Sequence, residues 1–346
     1  MVLFSVVYIK RVPGQSRRRF TDTATTTTNA SFNESSLEEN FTELTAASAC
    51  RRPGLRILYF VHTAPKNAEL RAWLRKTIGN PEIEAFVNSA IVFFVGLAPD
   101  TNQRLAVEEE AAREGDVVVL NFTDTYRNLS LKFIHGAEWV LENCGLNSTT
   151  TIVKMDDDVL VNVFALSAYV ASPVMSRKGI HCVVYSKVRP VRKKSKWVVT
   201  KEEYAPAKYP AYCAGAAFMV RPAVLSTLYQ ASRRVPVFWV DDVYVTGILA
   251  SLTKVDMVNI KLYFGLFFSN KTETVRNTIL FVNTGGPNYI RHKVDRLWQS
   301  VLLANQSVSE NYKWRVSVGH RKTLPWLVDW VDKQTGNTDW RLLTSR

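Results

Sequence analysis

An α/β fold, with a mostly parallel central sheet flanked by helices, is predicted by three features of this 346-residue sequence. Short apolar runs alternate with helical stretches between residues 55 and 161, the pattern of successive βαβ units. Apolar residues make up 47% of the chain and include nine tryptophans, enough to bury a large core and to exclude a wholly disordered or coiled-coil protein. No internal repeat competes with that reading.

The elements follow in order. Leu55 to Val61 is the first apolar run, and a helical stretch extends from Asn67 to Ile78. Ala90 to Leu97 is the second run; the wider apolar stretch Val87 to Ala98 is too short to cross a bilayer and suits a buried strand. A charged helix covers Asn102 to Glu114, and Val117 to Leu120 is the third run. From Thr125 to Asn143, apolar residues at Leu129, Phe133, Ala137 and Val140 recur close to the helical period. Thr150 to Met155 is the fourth run. Ligands of such sheets lie beyond the carboxyl ends of the strands, so the residues just after each run are the candidates for chemistry.

The ends read differently. Met1 to Ile9 is apolar apart from Ser5 and is followed by Lys10 and Arg11. It is too short to span a membrane, and its charge follows rather than precedes the apolar stretch, unlike a signal peptide. The expectation is a truncated anchor. Gln15 to Cys50 reads as a flexible tether, with Arg17 to Arg19 and a Thr-rich run from Thr21 to Thr28. The expected organisation is therefore an anchor and glycosylated stem over residues 1–53, a catalytic domain over 54–268, and an extension over 269–346 packed on it. Trp314, Trp326, Trp330 and Trp340 argue that the extension folds.

Asn-x-Ser/Thr triplets at Asn29, Asn33, Asn40, Asn121, Asn128, Asn147, Asn270 and Asn305 exceed what this composition scatters by chance and point to the secretory pathway. Cys50, Cys144, Cys182 and Cys213 are compatible with two disulfides in any of three connectivities, and no Cys-x-x-Cys pairing suggests zinc. Lys plus Arg exceed Asp plus Glu by 44 to 31, so the net charge of +13 favours an anionic partner.

Asp156, Asp157 and Asp158 directly follow the fourth run. Three adjacent carboxylates at the mouth of a buried strand repel one another, and a hard divalent cation removes that conflict. In an extended chain Asp156 and Asp158 share one side and Asp157 faces the other. The alternative is a solvated turn capping a helix at Asn162. Asp241 and Asp242 leave a second apolar run, Val235 to Val240, and precede another turn or helix start. Two separate acidic sites, one for metal and one free, suit metal-assisted group transfer with a general base.

In this order the chain resembles the β-1,3-galactosyltransferase and β-1,3-N-acetylglucosaminyltransferase family, glycosyltransferase family 31. The resemblance rests on Arg71-Ala-Trp-Leu-Arg75, Phe94-Val-Gly96, Glu110 with Gly115-Asp116, and the segment from Phe122 to Lys132. It continues with Lys154-Met-Asp156-Asp157-Asp158, Lys196-Trp197, Tyr212-Cys213-Ala-Gly215 and Asp241-Asp242-Val243. It implies a lumenal Golgi enzyme with a GT-A-like nucleotide-sugar-binding fold. Such an enzyme transfers galactose or N-acetylglucosamine from UDP-galactose or UDP-N-acetylglucosamine to the 3-hydroxyl of a protein- or lipid-borne glycan. Transfer inverts the anomeric carbon and usually uses Mn2+, with Mg2+ the alternative. By position, the resemblance makes Asp156 and Asp158 the metal carboxylates and Asp242 the base. It sets Arg71, Arg75, Asp124, Asn128, Lys132 and Asp157 by the donor, and has Trp197, Tyr212, Gly215 and Asp241 shape the sugar pocket.

Two departures stand out. Asn121 occupies a place where the family commonly has an acidic residue, and no histidine occurs between Leu249 and Asn288, leaving His292 as the first candidate for a third metal contact. Lys187 to Lys196 holds six basic residues, but aromatics do not interleave with them, so a loop attracting UDP-sugar or an acidic glycan is expected rather than a nucleic-acid site. The alternative function is a catalytically silent relative acting as a secretory-pathway chaperone or glycan-binding partner. His62, His135 and His181 are expected to be structural.

Overall fold

The computed structural model describes residues 46–265, 279–285, 291–303 and 314–336. The expected anchor and the triplets at Asn29, Asn33, Asn40, Asn270 and Asn305 lie outside the described residues, as does the side chain of His292. No helix of the described residues is long and apolar enough to cross a membrane.

The first half of the chain builds the predicted βαβ pattern. Strand β1 (Ile57–His62) leads to α1 (Ala68–Lys76) and α2 (Pro81–Val87), then β2 (Ser89–Leu97), α3 (Thr101–Glu114) and β3 (Val117–Thr123). A 3₁₀ turn at Tyr126–Asn128 opens α4 (Leu129–Asn143), which returns to β4 (Thr151–Asp156). The short β5 (Val159–Val161) and α5 (Val163–Ala171) follow. β1, β2, β3 and β4 pair in parallel. All six residues of β1 are buried, because helices cover both faces of such a sheet. Its side chains alternate: Leu58 and Phe60 join one core layer, Ile57, Tyr59 and Val61 the other.

The second half makes the sheet mixed. β6 (Ile180–Tyr185), β7 (Tyr212–Val220), α6 (Pro222–Ser232) and β8 (Met257–Asn259) extend it, and β7 lies antiparallel between β4 and β6. Before β8, a helix runs as a π-helical stretch, Val243–Leu249, continued by Ala250–Leu252; it is α7 below. Residues beyond 268 enter both sheets. β10 (Phe281–Asn283) pairs with β5 and with β9 (Phe264–Gly265), and β11 (Ser317–Gly319) pairs with β8. α8 (Arg291–Leu303) packs on one core layer through Leu297 and Trp298, and α9 (Pro325–Thr335) on the other through Leu327 and Trp330.

The folded body starts earlier than the boundary expected at 53/54. Residues 46–50 are helical, and Ala46, Ala47 and Cys50 are buried in the core. The reason is covalent as well as hydrophobic, since Cys50 is joined to Cys144 at the end of α4. The second disulfide, Cys182–Cys213, ties β6 to β7.

Candidate active site

The sheet delivers two acidic groups to one cleft. β4 ends at Asp156, and the turn through Asp157 and Asp158 hands the chain to β5. That turn is fixed on both sides. The Asp157 amide donates to the His62 carbonyl (3.1 Å), and the Asp158 carbonyl accepts from the amide (2.9 Å) and hydroxyl (2.6 Å) of Thr284. Asn162 caps α5 through its side chain, so the capping reading and the acidic turn hold together. Asp241 and Asp242 arrive from the other direction, immediately ahead of α7.

Lys154 joins the two groups. Strand alternation sets it on the same side as Asp156, two residues on. Its buried Nζ donates to Asp156 Oδ1 (2.9 Å) and the Gly215 carbonyl (2.9 Å), and lies 3.9 Å from Asp241 Oδ2. Burial works against its charge, but Asp156 and Asp241 outweigh burial and raise its pKa.

Asp242 is tied to the start of α7. Its Oδ1 accepts from the Val243 amide (2.7 Å), and its main-chain carbonyl accepts from the Thr246 hydroxyl (2.6 Å). Burial, reinforced by the neighbouring Asp241 charge, pushes its carboxyl up to about 8, into the range useful to a general base near neutrality. Burial also raises Asp241. Gly215 opposes this pair, and a side chain there would come 3.3 Å from the Asp242 Cβ. The glycine keeps a space beside the carboxylate open.

A cleft of about 370 Å³ is lined by Asp156, Trp197, Tyr212, Gly215, Asp241 and Asp242, six of the residues expected at the site. Tyr126 and Trp239 complete its aromatic rim. The Trp197 indole N–H donates to the Tyr126 hydroxyl (2.5 Å), and Arg127 stacks on Trp239 at 4.3 Å while pairing with Glu203. The basic loop containing Trp197 is thereby fastened over the turn that opens α4.

The other expected residues form a layer behind the cleft rather than its lining. Arg71 is fully buried: it donates to both Glu110 oxygens (2.9 and 2.5 Å), Thr63 and the carbonyls of Ala64 and Pro65. Arg75 clasps Asp116 with two bonds of 2.7 Å and Glu110 with a third. All five N–H groups of Arg71 are taken by protein partners, whereas Arg75 makes three such bonds; Arg71 directly, and Arg75 through Glu110, brace the loop after β1. Thr63 and Asn67 of that loop donate to Asp157 Oδ2 at 2.6 and 2.8 Å. Lys132, also buried, donates to Asp124 (2.7 Å) and the Thr63 carbonyl (2.5 Å), while Asp124 accepts from the Gly96 amide. Asn128 donates to the Thr123 carbonyl (2.9 Å).

Burial and the charges of Asp156 and Asp157 push the Asp158 carboxyl up to about 6, a repulsion that a hard cation would relieve. Among the described residues no group of three or more His, Cys, Asp or Glu side chains is placed to hold a metal ion.

Lys154, Thr63, Asn67 and Tyr126 are site residues to which the sequence reading gave no role, although Lys154 and Tyr126 stand in segments that carry the resemblance. Three had a signal: Lys154 shares a strand face with Asp156, Thr63 directly follows the first strand, and Asn67 opens the helix after it.

Comparison with known proteins agrees with this geometry. A family model described as Galactosyltransferase matches residues 69–261. Lactosylceramide 1,3-N-acetyl-beta-D-glucosaminyltransferase A of Xenopus laevis is 28% identical over 274 residues, covering 76% of this chain and 71% of its own. The Xenopus tropicalis lactosylceramide 1,3-N-acetyl-beta-D-glucosaminyltransferase is 33% identical over 58% of this chain and 55% of its own length. Beta-1,3-galactosyltransferase 5 of Homo sapiens is 28% identical over 57% of this chain and 63% of its own length. The chain thus spans between about half and three-quarters of these relatives. Among solved structures, S. aureus TarS 1-349 in complex with UDP aligns over 74% of this chain and 67% of its own at a TM-score of 0.34 and 14% identity, a likeness too slight to bear on the site. With its family model covering more than half of the sequence, and with the acidic turn, the buried Lys154 and the Asp241–Asp242 pair meeting at one cleft, this chain belongs to the galactosyltransferase family, glycosyltransferase family 31.

Proposed function

We propose that this chain is an inverting β-1,3-hexosyltransferase that moves galactose or N-acetylglucosamine from a UDP-sugar to the 3-hydroxyl of a protein- or lipid-borne glycan. The supporting observation is the convergence of Asp156, Asp241 and Asp242 on one cleft, with Lys154 paired to Asp156 and Asp241 and the Asp242 carboxyl raised by burial and by Asp241. The transfers named for the relatives supply the sugars.

Asp242 takes the proton of the acceptor hydroxyl as that oxygen attacks the anomeric carbon. The bond from that carbon to the diphosphate oxygen breaks, its electron pair leaves on UDP, and a single displacement inverts the centre. Asp156 and Asp158 would hold Mn2+ or Mg2+, which supplies charge stabilisation to the departing diphosphate. Lys154 bridges Asp156 and Asp241 and offsets their mutual repulsion, and Asp157 is anchored to Thr63 and Asn67 so that the turn keeps its shape. Trp197, Tyr126 and Tyr212 wall the sugar pocket. The two disulfides and the glycosylation triplets favour an oxidising, lumenal location, and the reading sets the enzyme on the Golgi membrane through an N-terminal anchor.

Asp242→Asn keeps the shape of the side chain and removes the base. Transfer, measured by UDP release in the presence of acceptor, should fall by at least about a hundredfold, the usual minimum share of a general base. UDP affinity measured by calorimetry should stay unchanged. Full turnover in this variant would refute the assignment. Chelation with EDTA should abolish transfer, and added Mn2+ should restore it.

A further inference from the structure

A second groove, of about 620 Å³, lies against the far side of the loop that borders the cleft. Its floor is Tyr209 and Trp330, its rim is Trp326 on α9, and Lys187, Lys208 and Lys333 surround it with Asp329 as the sole acid among its lining residues. Its volume falls inside the range of about 300–1,000 Å³ typical of small-molecule sites. The groove and the cleft share one wall. Tyr209 lines both, and it packs with Tyr204 (5.0 Å), which in turn meets Trp330 at 5.0 Å. Trp326 stays 37% exposed in the folded chain, a large apolar face left uncovered at the mouth. Lys187 adopts a left-handed backbone (φ 60°), a conformation costly to a side-chain-bearing residue and found where surrounding structure imposes it.

We propose that this groove seats the distal sugars of an acidic acceptor glycan, one bearing a carboxylate or sulfate a few residues from the hydroxyl that receives the new sugar. The proposal rests on the transferase reading above. Its own support is the shared Tyr209 wall, an exposed indole suited to the apolar face of a pyranose, and three lysines against one aspartate. The charge ratio selects an acidic chain over a neutral one. Trp326, Lys187, Lys208 and Lys333 lie outside the lining of the catalytic cleft, so they set acceptor choice without altering the chemistry.

The test uses the full chain and three probes: methyl β-galactoside, a neutral lactose-terminated tetrasaccharide, and the same tetrasaccharide carrying one sulfate. Binding is followed by tryptophan fluorescence and transfer by UDP release. Lys208→Glu combined with Lys333→Glu changes only exposed positions. The wild type should bind the sulfated tetrasaccharide about three- to tenfold more tightly than the neutral one, the strength of two exposed charge pairs. The double variant should abolish that preference and raise KM for the sulfated acceptor, leaving kcat and transfer to methyl β-galactoside unchanged. Trp326→Ala should weaken both tetrasaccharides. Equal binding of the two in the wild type, or an undiminished sulfate preference in the double variant, overturns the proposal. Sulfate-dependent binding without transfer to any probe counts against the transferase reading and leaves the groove assignment standing.

Discussion

Asp242 has one carboxylate oxygen held by the Val243 amide, and Gly215 leaves open space beside the other. Its raised pKa has two causes that can be separated by mutation. Burial stays if Asp241 is neutralised, but the neighbouring charge disappears. A base works only when deprotonated, so activity climbs as pH rises through the folded-state pKa. Asp241→Asn removes a negative charge, favours the ionised form of Asp242, and should move the acid limb of the kcat/KM profile to lower pH. An unmoved limb would show that another group controls it. The aspartates themselves were legible in the sequence because they interrupt apolar runs. Their electrostatic environment was not, because Lys154 reaches Asp241 only once β4 and α7 are brought together.

At the scale of elements, the site depends on how tightly the helices seat against the sheet. α4 packs so closely that a methyl group on Gly136 would come within 2.5 Å of the Phe60 ring and 3.1 Å of Phe94. Alanine is the better helix former by about 1 kcal/mol, yet overpacking a filled core costs about 1–3 kcal/mol. Gly136→Ala should therefore lower the urea midpoint, and unchanged or increased stability would contradict the packing. The helix was readable from Leu129, Phe133, Ala137 and Val140; the last three are buried in the core, and Leu129 lines the cleft. β7 was not readable as an antiparallel insertion, because a continuous apolar strand carries no sign of its direction. Its placement matters most to the site, since Tyr212 and Gly215 ride on it and Cys213 is joined to β6.

Across the whole molecule, residues distant in sequence stabilise the acidic pair. Arg321, beyond β11, donates to the carbonyls of Ala211 and Thr246 and to the Ser251 hydroxyl, tying the C-terminal segment to α7. Glu110 and Asp116 on the far side of the sheet hold Arg71 and Arg75, and through them the loop that supports Asp157. The disulfides act at the same scale. Cys50–Cys144 closes a separation of 94 residues and Cys182–Cys213 one of 31. Loop-closure entropy grows with the logarithm of length, so replacing the first pair by serines should destabilise by about 1 kcal/mol more than replacing the second. Denaturant unfolding of the two double variants checks the order, and the reverse order would show that packing at β6 and β7 outweighs the entropy.

The four parallel strands to residue 156, three of the four helices between them, the two acidic outlets and the family resemblance were legible in the sequence alone, because hydrophobic periodicity and local charge are properties of short segments. The seven-residue α2, which takes Val87 from the expected strand, was too short to show a period. The tertiary structure decided which carboxylate meets Lys154, that Arg71 and Arg75 support a loop from behind the cleft, which cysteines pair, and that residues near 50 and beyond 280 join the core. Those outcomes depend on contacts between segments tens to hundreds of residues apart, and the spacing along a chain does not specify which surfaces meet.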